Sequence, residues 1–207
     1  MTYICLCANE KAAALAGDSR VLLRFGIHHP FRQKVFLSHK PALAWACSGM
    51  VRWHWHDYAW HVGHILRGKN SMPQKLQRIG EVVTPMTLKR YQKTGQTTIF
   101  HLLIAEATAQ GIEVYDVKAS NGMFTISLLN PPVFLHAGYY TSRFTKPSKE
   151  RFAEASPKAL EALVREKTKE AIAIDQACKQ EDKNFLRTIG GFVRSVCLLS
   201  QEKSGKP

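Results

Sequence analysis

Thr2, Asp18 and Lys34 lie at equal intervals, sixteen positions from the first to the second and sixteen from the second to the third. A threonine hydroxyl is a weak nucleophile until a base takes its proton. Thr2 follows Met1 directly, and a small residue at position two is what methionine removal requires. Removal would free an α-amine, which titrates at about 7.7–8.0 and so supplies a base within the same residue. An ammonium from Lys34 close by would depress that amine further and favour ionisation of the hydroxyl. Lys34 needs an acidic partner to stay charged in a partly buried place, and Asp18 is suited to that role. Gly49, at the end of a strand-like run, could turn its backbone N–H toward the oxyanion of a tetrahedral intermediate. The chemistry these residues could do together is acyl transfer from an amide to Thr2, followed by hydrolysis.

Two other groups of reactive side chains compete for attention. The stretch Arg52-Trp53-His54-Trp55-His56-Asp57-Tyr58-Ala59-Trp60-His61-Val62-Gly63-His64 carries four histidines. Read as a helix, it places His54, Asp57 and His61 at three- and four-residue steps, a spacing that could bind zinc. No second ligand set accompanies it and aromatic side chains crowd it, which favours packing or a subunit interface. His28-His29 before Pro30 reads as loop. The cysteines are Cys5, Cys7, Cys47, Cys178 and Cys197, with no CxxC spacing. They read as buried free thiols of a reducing compartment. No metal or other cofactor is implied.

Elements must hold the three spaced residues. Residues 2–8 and 12–16 read as short apolar strands joined at Asn9-Glu10-Lys11, and this hairpin ends at Gly17-Asp18-Ser19-Arg20. Residues 35–37 and 42–47 read as a second hairpin turning at His39-Lys40-Pro41, closed by Ser48-Gly49. Two helices are expected over 51–66 and 73–91, the second capped by Ser71 and broken near Thr84-Pro85. Strands return over 98–106, 112–117, 123–128 and 133–137, with an Asn121-Gly122 turn pair. Ser156-Pro157 reads as a helix start, and Leu160, Leu163, Val164, Ala171, Ile174 and Cys178 recur at helical steps. A last strand covers 192–199. Runs of strands and runs of helices, rather than strict alternation, predict an α+β fold with antiparallel sheets. One domain is expected over 1–200, with 201–207 as a disordered tail.

Composition sets bounds. The 207 residues are 45% hydrophobic and 22% charged, as in an ordinary globular chain. No apolar run reaches the roughly 18 residues of a membrane span. Glu10, Lys11, Asp18 and Arg20 interrupt any signal-peptide pattern, so a cytoplasmic location is expected. Net charge is +13, from 29 Lys+Arg against 16 Asp+Glu. Along the sequence the basic residues are spread and interleaved with acids, which disfavours nucleic acid as a partner.

The set Thr2, Ala16-Gly17-Asp18-Ser19-Arg20, Lys34-Val35 and Cys47-Ser48-Gly49 resembles the proteasome-type N-terminal-nucleophile hydrolases, whose bacterial branches include HslV, Anbu and the small proteasome homologues called BPH. Val114-Tyr115-Asp116, the Ser156 helix, Ile189-Gly190-Gly191 and the closing strand extend the resemblance to about Leu199. The resemblance implies a four-layer αββα sandwich. It implies Thr2 as nucleophile, its amine as base, Lys34 with Asp18 as electrostatic support, and an acyl-enzyme ester. The family has a Gly-Ser-Gly segment supporting the amine. Here the corresponding stretch is Gly138-Tyr139-Tyr140-Thr141-Ser142, so Thr141 or Ser142 is the candidate substitute. Asp175 is the candidate for the family's acid near the end of the last helix. Ser19, Val21, Arg32, Cys47 and Val51 would flank the nucleophile as the substrate pocket, with Arg32 favouring acidic or polar side chains.

The function this implies is a threonine peptidase subunit of a self-compartmentalising homo-oligomer. It would form stacked rings of about six or seven subunits, act on unfolded protein or peptide, and work with or without an ATPase or other regulator, away from membranes. Two alternatives stay open. One is an amidohydrolase for a small amide that uses the same nucleophile. The other is an inactive ring or a basic nucleic-acid-associated scaffold.

Overall fold

The first hairpin is apolar at nearly every position, and both of its faces are covered. β1 (Ile4–Ala8) and β2 (Ala12–Asp18) are buried throughout. A strand covered on one face alternates apolar with polar, whereas one covered on both becomes continuously apolar. The computed structural model describes residues 3–19, 21–22, 28–29, 33–49, 52–53, 56–138, 145–181 and 189–200. Two short pairs, β3 (Val21–Leu22) with β4 (His28–His29) and β7 (Arg52–Trp53) with β8 (His56–Asp57), interrupt the larger elements. The remaining elements are β5 (Val35–His39), β6 (Ala42–Gly49), α1 (Tyr58–Arg67), α2 (Met72–Thr94), β9 (Ile99–Thr108), β10 (Gly111–Ser120), β11 (Met123–Leu129), β12 (Val133–Ala137), α3 (Glu150–Ala153), α4 (Pro157–Glu181) and β13 (Val193–Leu199).

Two antiparallel sheets form, one in the order β12-β1-β2-β13 and one in the order β11-β10-β9-β6-β5. Three apolar clusters define the layers. Ile4, Leu6, Leu15 and Val35 meet Ala44, Leu103 and Val114 between the sheets. Trp45, Phe100, Leu102 and Ile104 of the five-stranded sheet pack on Val62, Leu66, Ile79 and Val83 of α1 and α2. Cys5, Ala14 and Ala16 of the four-stranded sheet pack on Leu160, Val164 and Ala171 of α4. The result is helix, sheet, sheet, helix: the expected α+β sandwich.

Local chemistry sets the element ends. Asn121 (φ 51°) and Gly122 (φ 90°) make the expected turn between β10 and β11, both in the left-handed region that such two-residue hairpins need. Ser71 donates its N–H to Gln74 Oε1 at 3.2 Å and opens α2.

Three expectations are corrected. His28-His29, expected as loop, forms the two-residue strand β4 paired with β3. The helix expected from residue 51 starts at Tyr58, because the Asp57 carboxylate accepts the Trp60 N–H at 3.1 Å and caps it there. Residues 52–53 and 56–57 pair as strands instead of continuing the helix, and His54 of the expected His54–Asp57–His61 set lies outside the described residues. The break expected at Thr84-Pro85 is also absent, since α2 runs through Pro85. Pro85 and Glu81 both face solvent, so water can satisfy the Glu81 carbonyl that proline leaves without its amide.

Candidate active site

Asp18 ends β2 and Lys34 directly precedes β5, so the two residues come from different sheets. Gly17 lets the sheets approach at this end. A Cβ there would stand 3.1 Å from Val35 Cγ2 and 3.3 Å from the Tyr3 carbonyl. The Cys47 N–H donates to the Lys34 carbonyl at 3.1 Å and fixes the lysine backbone against β6. Lys34 Nζ then reaches Asp18 Oδ1 at 3.0 Å, with 4% of the lysine side chain and none of the aspartate's exposed.

The Asp18 carboxylate has further donors. The Tyr3 N–H donates to Oδ1 at 2.8 Å and the Gly190 N–H donates to Oδ2 at 3.0 Å. The Asp18 N–H returns a bond to the Tyr3 carbonyl at 3.2 Å. Burial pushes the Asp18 carboxyl above its ordinary value, while the Lys34 ammonium and the two backbone amides pull it back toward the charged form. Carboxylate–ammonium pairs survive burial when such hydrogen bonds satisfy them. Next to Asp18, Ser19 Oγ accepts the Phe192 N–H at 2.8 Å. Two successive residues thus grip the segment leading into β13.

Tyr3 and Gly190 were not among the residues expected at the site. The only sequence signal for the second was the Gly190-Gly191 pair, which has positive φ at both positions. Gly49 also has positive φ (78°), and a Cβ there would lie 2.1 Å from the Ile99 carbonyl oxygen. No other residue fits that strand end.

Asp175 lies fully buried on α4. Asn9 Nδ2 donates to the Phe152 and Ala155 carbonyls, while Cys5 Sγ donates to the Val164 carbonyl, so α4 runs antiparallel to β1. That direction carries Asp175 past Thr168 toward the Tyr3 end of β1. Cys47 is buried in the cluster beneath α1 and α2. Thr2, Arg32, Val51, Thr141 and Ser142 lie outside the described residues, and of Val21 only the backbone is described.

The same end of the sandwich holds a polar cluster that the sequence reading did not single out. His101, paired across the strands with Ser48, places Nε2 at 2.5 Å from Asp116 Oδ1, while Lys118 Nζ donates to Asp116 Oδ2 at 2.9 Å. Burial raises the Asp116 carboxyl, but His101 and Lys118 together hold it below the ordinary aspartate value. The thiols offer no rival nucleophile on the four-stranded sheet. Burial pushes Cys5 and Cys7 up to about 12, leaving them protonated.

No protein-family model matches the chain, and no curated protein matches it. A solved structure of Anbu (ancestral beta-subunit) from Yersinia bercovieri does match, with a TM-score of 0.61 over 95% of this chain and 81% of that one. The chain has the Anbu fold. Sequence identity is 15%, so the likeness is one of fold. Among the described residues, no helix of this Anbu-like sandwich is long and apolar enough to cross a membrane.

Proposed function

We propose that the chain is a threonine-type N-terminal-nucleophile peptidase, acting through Thr2 after Met1 is removed. One observation carries the reading. The buried Lys34–Asp18 pair also holds the Tyr3 N–H, one peptide bond from residue 2. A cation is thereby anchored beside the start of β1.

In the proposed reaction the Thr2 amine, directly or through water, takes the hydroxyl proton, and the oxygen attacks a substrate carbonyl. The Lys34 ammonium favours the negative oxygen, and Asp18 keeps that ammonium charged and in place. The Gly49 N–H stabilises the oxyanion. The amine then protonates the leaving nitrogen, and water hydrolyses the resulting ester. Thr141 or Ser142, with Asp175, would orient the amine. Ser19, Val21, Arg32, Cys47 and Val51 would border the substrate.

The Anbu fold supports an oligomeric, proteasome-related subunit, and we propose a ring of identical copies with the sites facing a chamber. Fluorogenic peptides test the activity: turnover by the native chain and its loss in Thr2→Ala support the reading, while undiminished cleavage by Thr2→Ala overturns it. Size-exclusion chromatography tests the ring, and elution as a 23.3 kDa monomer would count against it.

A further inference from the structure

The net charge of +13 is unevenly placed once the chain is folded. From Asp57 to Gly95, the segment of α1 and α2, seven Lys or Arg stand against two Asp or Glu. From 145 to 181, the segment of α3 and α4, eight stand against seven. The second layer pairs its charges, with Arg151–Glu166 at 2.7 Å and Lys167–Glu170 at 2.6 Å. In the first layer Lys69, Arg78, Lys89 and Lys93 are exposed, and none makes an ion pair among the described residues. Arg78 and Lys89 are eleven positions apart on one helix, which puts them on one face about 16 Å apart.

The same layer exposes a flat aromatic surface. Trp60 is 63% exposed and stacks on His64, with ring centroids 5.7 Å apart and an interplanar angle of 13°. His61 meets the Trp60 ring edge-on at 5.1 Å. The opposite faces of α1 and α2 bury Ala59, Val62, Leu66, Leu76, Ile79 and Val83 against the five-stranded sheet. Trp60 and the basic side chains therefore point outward on one side of the molecule.

We propose that the outer face of the α1–α2 layer binds single-stranded nucleic acid. Unpaired cations lined along a helix suit a phosphate backbone, and an exposed indole backed by an imidazole offers a platform for an unpaired base. An acidic peptide would need the cations and leave the platform unused. A duplex keeps its bases stacked and gives the platform nothing to take. The sequence hides this surface because its basic residues are scattered along the chain, and the helices gather them. The proposal is independent of the Thr2 chemistry.

The test is fluorescence anisotropy with labelled 20-nucleotide single strands of RNA and of DNA, the matching duplex, and polyglutamate as competitor. Arg78→Glu/Lys89→Glu should weaken single-strand binding about tenfold or more. It should also flatten the plot of log affinity against log salt by about 1.4, two contacts at roughly 0.7 each. Lys158→Glu/Lys169→Glu on α4 changes net charge equally and should weaken binding less than about threefold at 0.15 M salt, where screening is strong. Trp60→Ala should cost about fivefold or more on single strands and leave the duplex unchanged. All five side chains are exposed, and thermal melts check that each variant folds; Arg78→Gln/Lys89→Gln is the milder second pair. Equal losses in the α2 and α4 charge variants, no loss in Trp60→Ala, or competition by polyglutamate as strong as by oligonucleotide would each overturn the proposal.

Discussion

The two helix layers cover their sheets with different materials. α2 lies on Trp45, Phe100, Leu102 and Ile104, and its central turns bury Leu76, Ile79, Val83 and Met86. Its buried polar residues are Lys75, in the first turn, and Thr87, whose Oγ1 donates to the Thr84 carbonyl at 3.0 Å. α4 lies on Cys5, Cys7, Ala12, Ala14 and Ala16. Its buried stripe mixes Leu160, Leu163, Val164 and Ala171 with Lys167, Thr168 and Asp175. Thr168 Oγ1 donates to the Val164 carbonyl at 2.8 Å and lies 3.6 Å from Cys5 Sγ. Small side chains let a helix backbone approach a sheet closely. On α4 that approach carries hydroxyl and carboxyl groups toward the start of β1, where Tyr3 and Asp18 meet. Under α2 the large side chains of Trp45, Phe100, Leu102 and Ile104 fill the interface, and the hydroxyl of Thr87 turns back to its own helix at the Thr84 carbonyl. One layer supports the candidate site and the other supports the fold.

Lys34→Ala should give the largest effect at the site side of this contrast. Peptide turnover should fall about a hundredfold to a thousandfold. Urea denaturation should show a loss of about 3–5 kcal/mol, because Asp18 loses its buried counter-charge. Turnover within a fewfold of the native chain would separate the pair from the chemistry. On the other layer, Ile79→Ala should cost about 2–5 kcal/mol in the same denaturation experiment. Its turnover per folded molecule should be unchanged. A matching fall in turnover would mean that the two layers are not distinct in role.

Gly80→Ala sharpens the packing half. The added Cβ would stand 2.9 Å from the Phe124 ring, which lies on an edge strand and is half-buried. A loss of about 1–3 kcal/mol is expected, and a crystal structure should show the Phe124 ring displaced.

The pH dependence of stability probes the β12 side of the four-stranded sheet. His136, packed against the Tyr3 and Phe134 rings, is held below the ordinary histidine value by burial and by the charges of Lys146 and His101. The unfolded chain therefore binds this proton more readily than the folded one. The contribution is fully present above the ordinary value of about 6.5 and is lost as pH falls through the depressed one. The urea midpoint should drop between pH 7.5 and 5.5, and His136→Gln should reduce that drop. The smallest effect is expected for Arg151→Ala. It breaks the pair with Glu166, in which each side chain is 50% exposed, and should change stability by less than about 1 kcal/mol.

Much of this contrast was readable in the residues. The all-apolar first hairpin, the Asn121-Gly122 turn and the Ser156-Pro157 helix start depend on neighbours a few positions away, and each formed as expected. The Asp18–Lys34 pairing is longer in range, but it was legible because the spacing and the charges agree. The helix start at Tyr58 is hard to read from sequence because aromatic residues suit both strand and helix, and the deciding group is a single carboxylate, Asp57. The Pro85 break failed because proline on a solvent-facing turn leaves a carbonyl that water can satisfy. Tyr3 and Gly190 contribute backbone N–H groups to Asp18; the first leaves no mark in residue type, and the second only the Gly190-Gly191 pair. The His101–Asp116–Lys118 cluster was hidden for another reason: strand register, which no single strand encodes, brings its members together.

In the proposed chemistry, residue 2 becomes a free-amine nucleophile beside Lys34. Intact-mass spectrometry of the purified chain, before and after treatment with a threonine-reactive epoxyketone or β-lactone, tests it most directly. The expected product is a chain lacking Met1 that gains one adduct, located on Thr2 by peptide mapping and absent from Thr2→Ala and Lys34→Ala. A chain that has lost Met1 and gains no adduct, or an adduct that persists in Thr2→Ala, would contradict it.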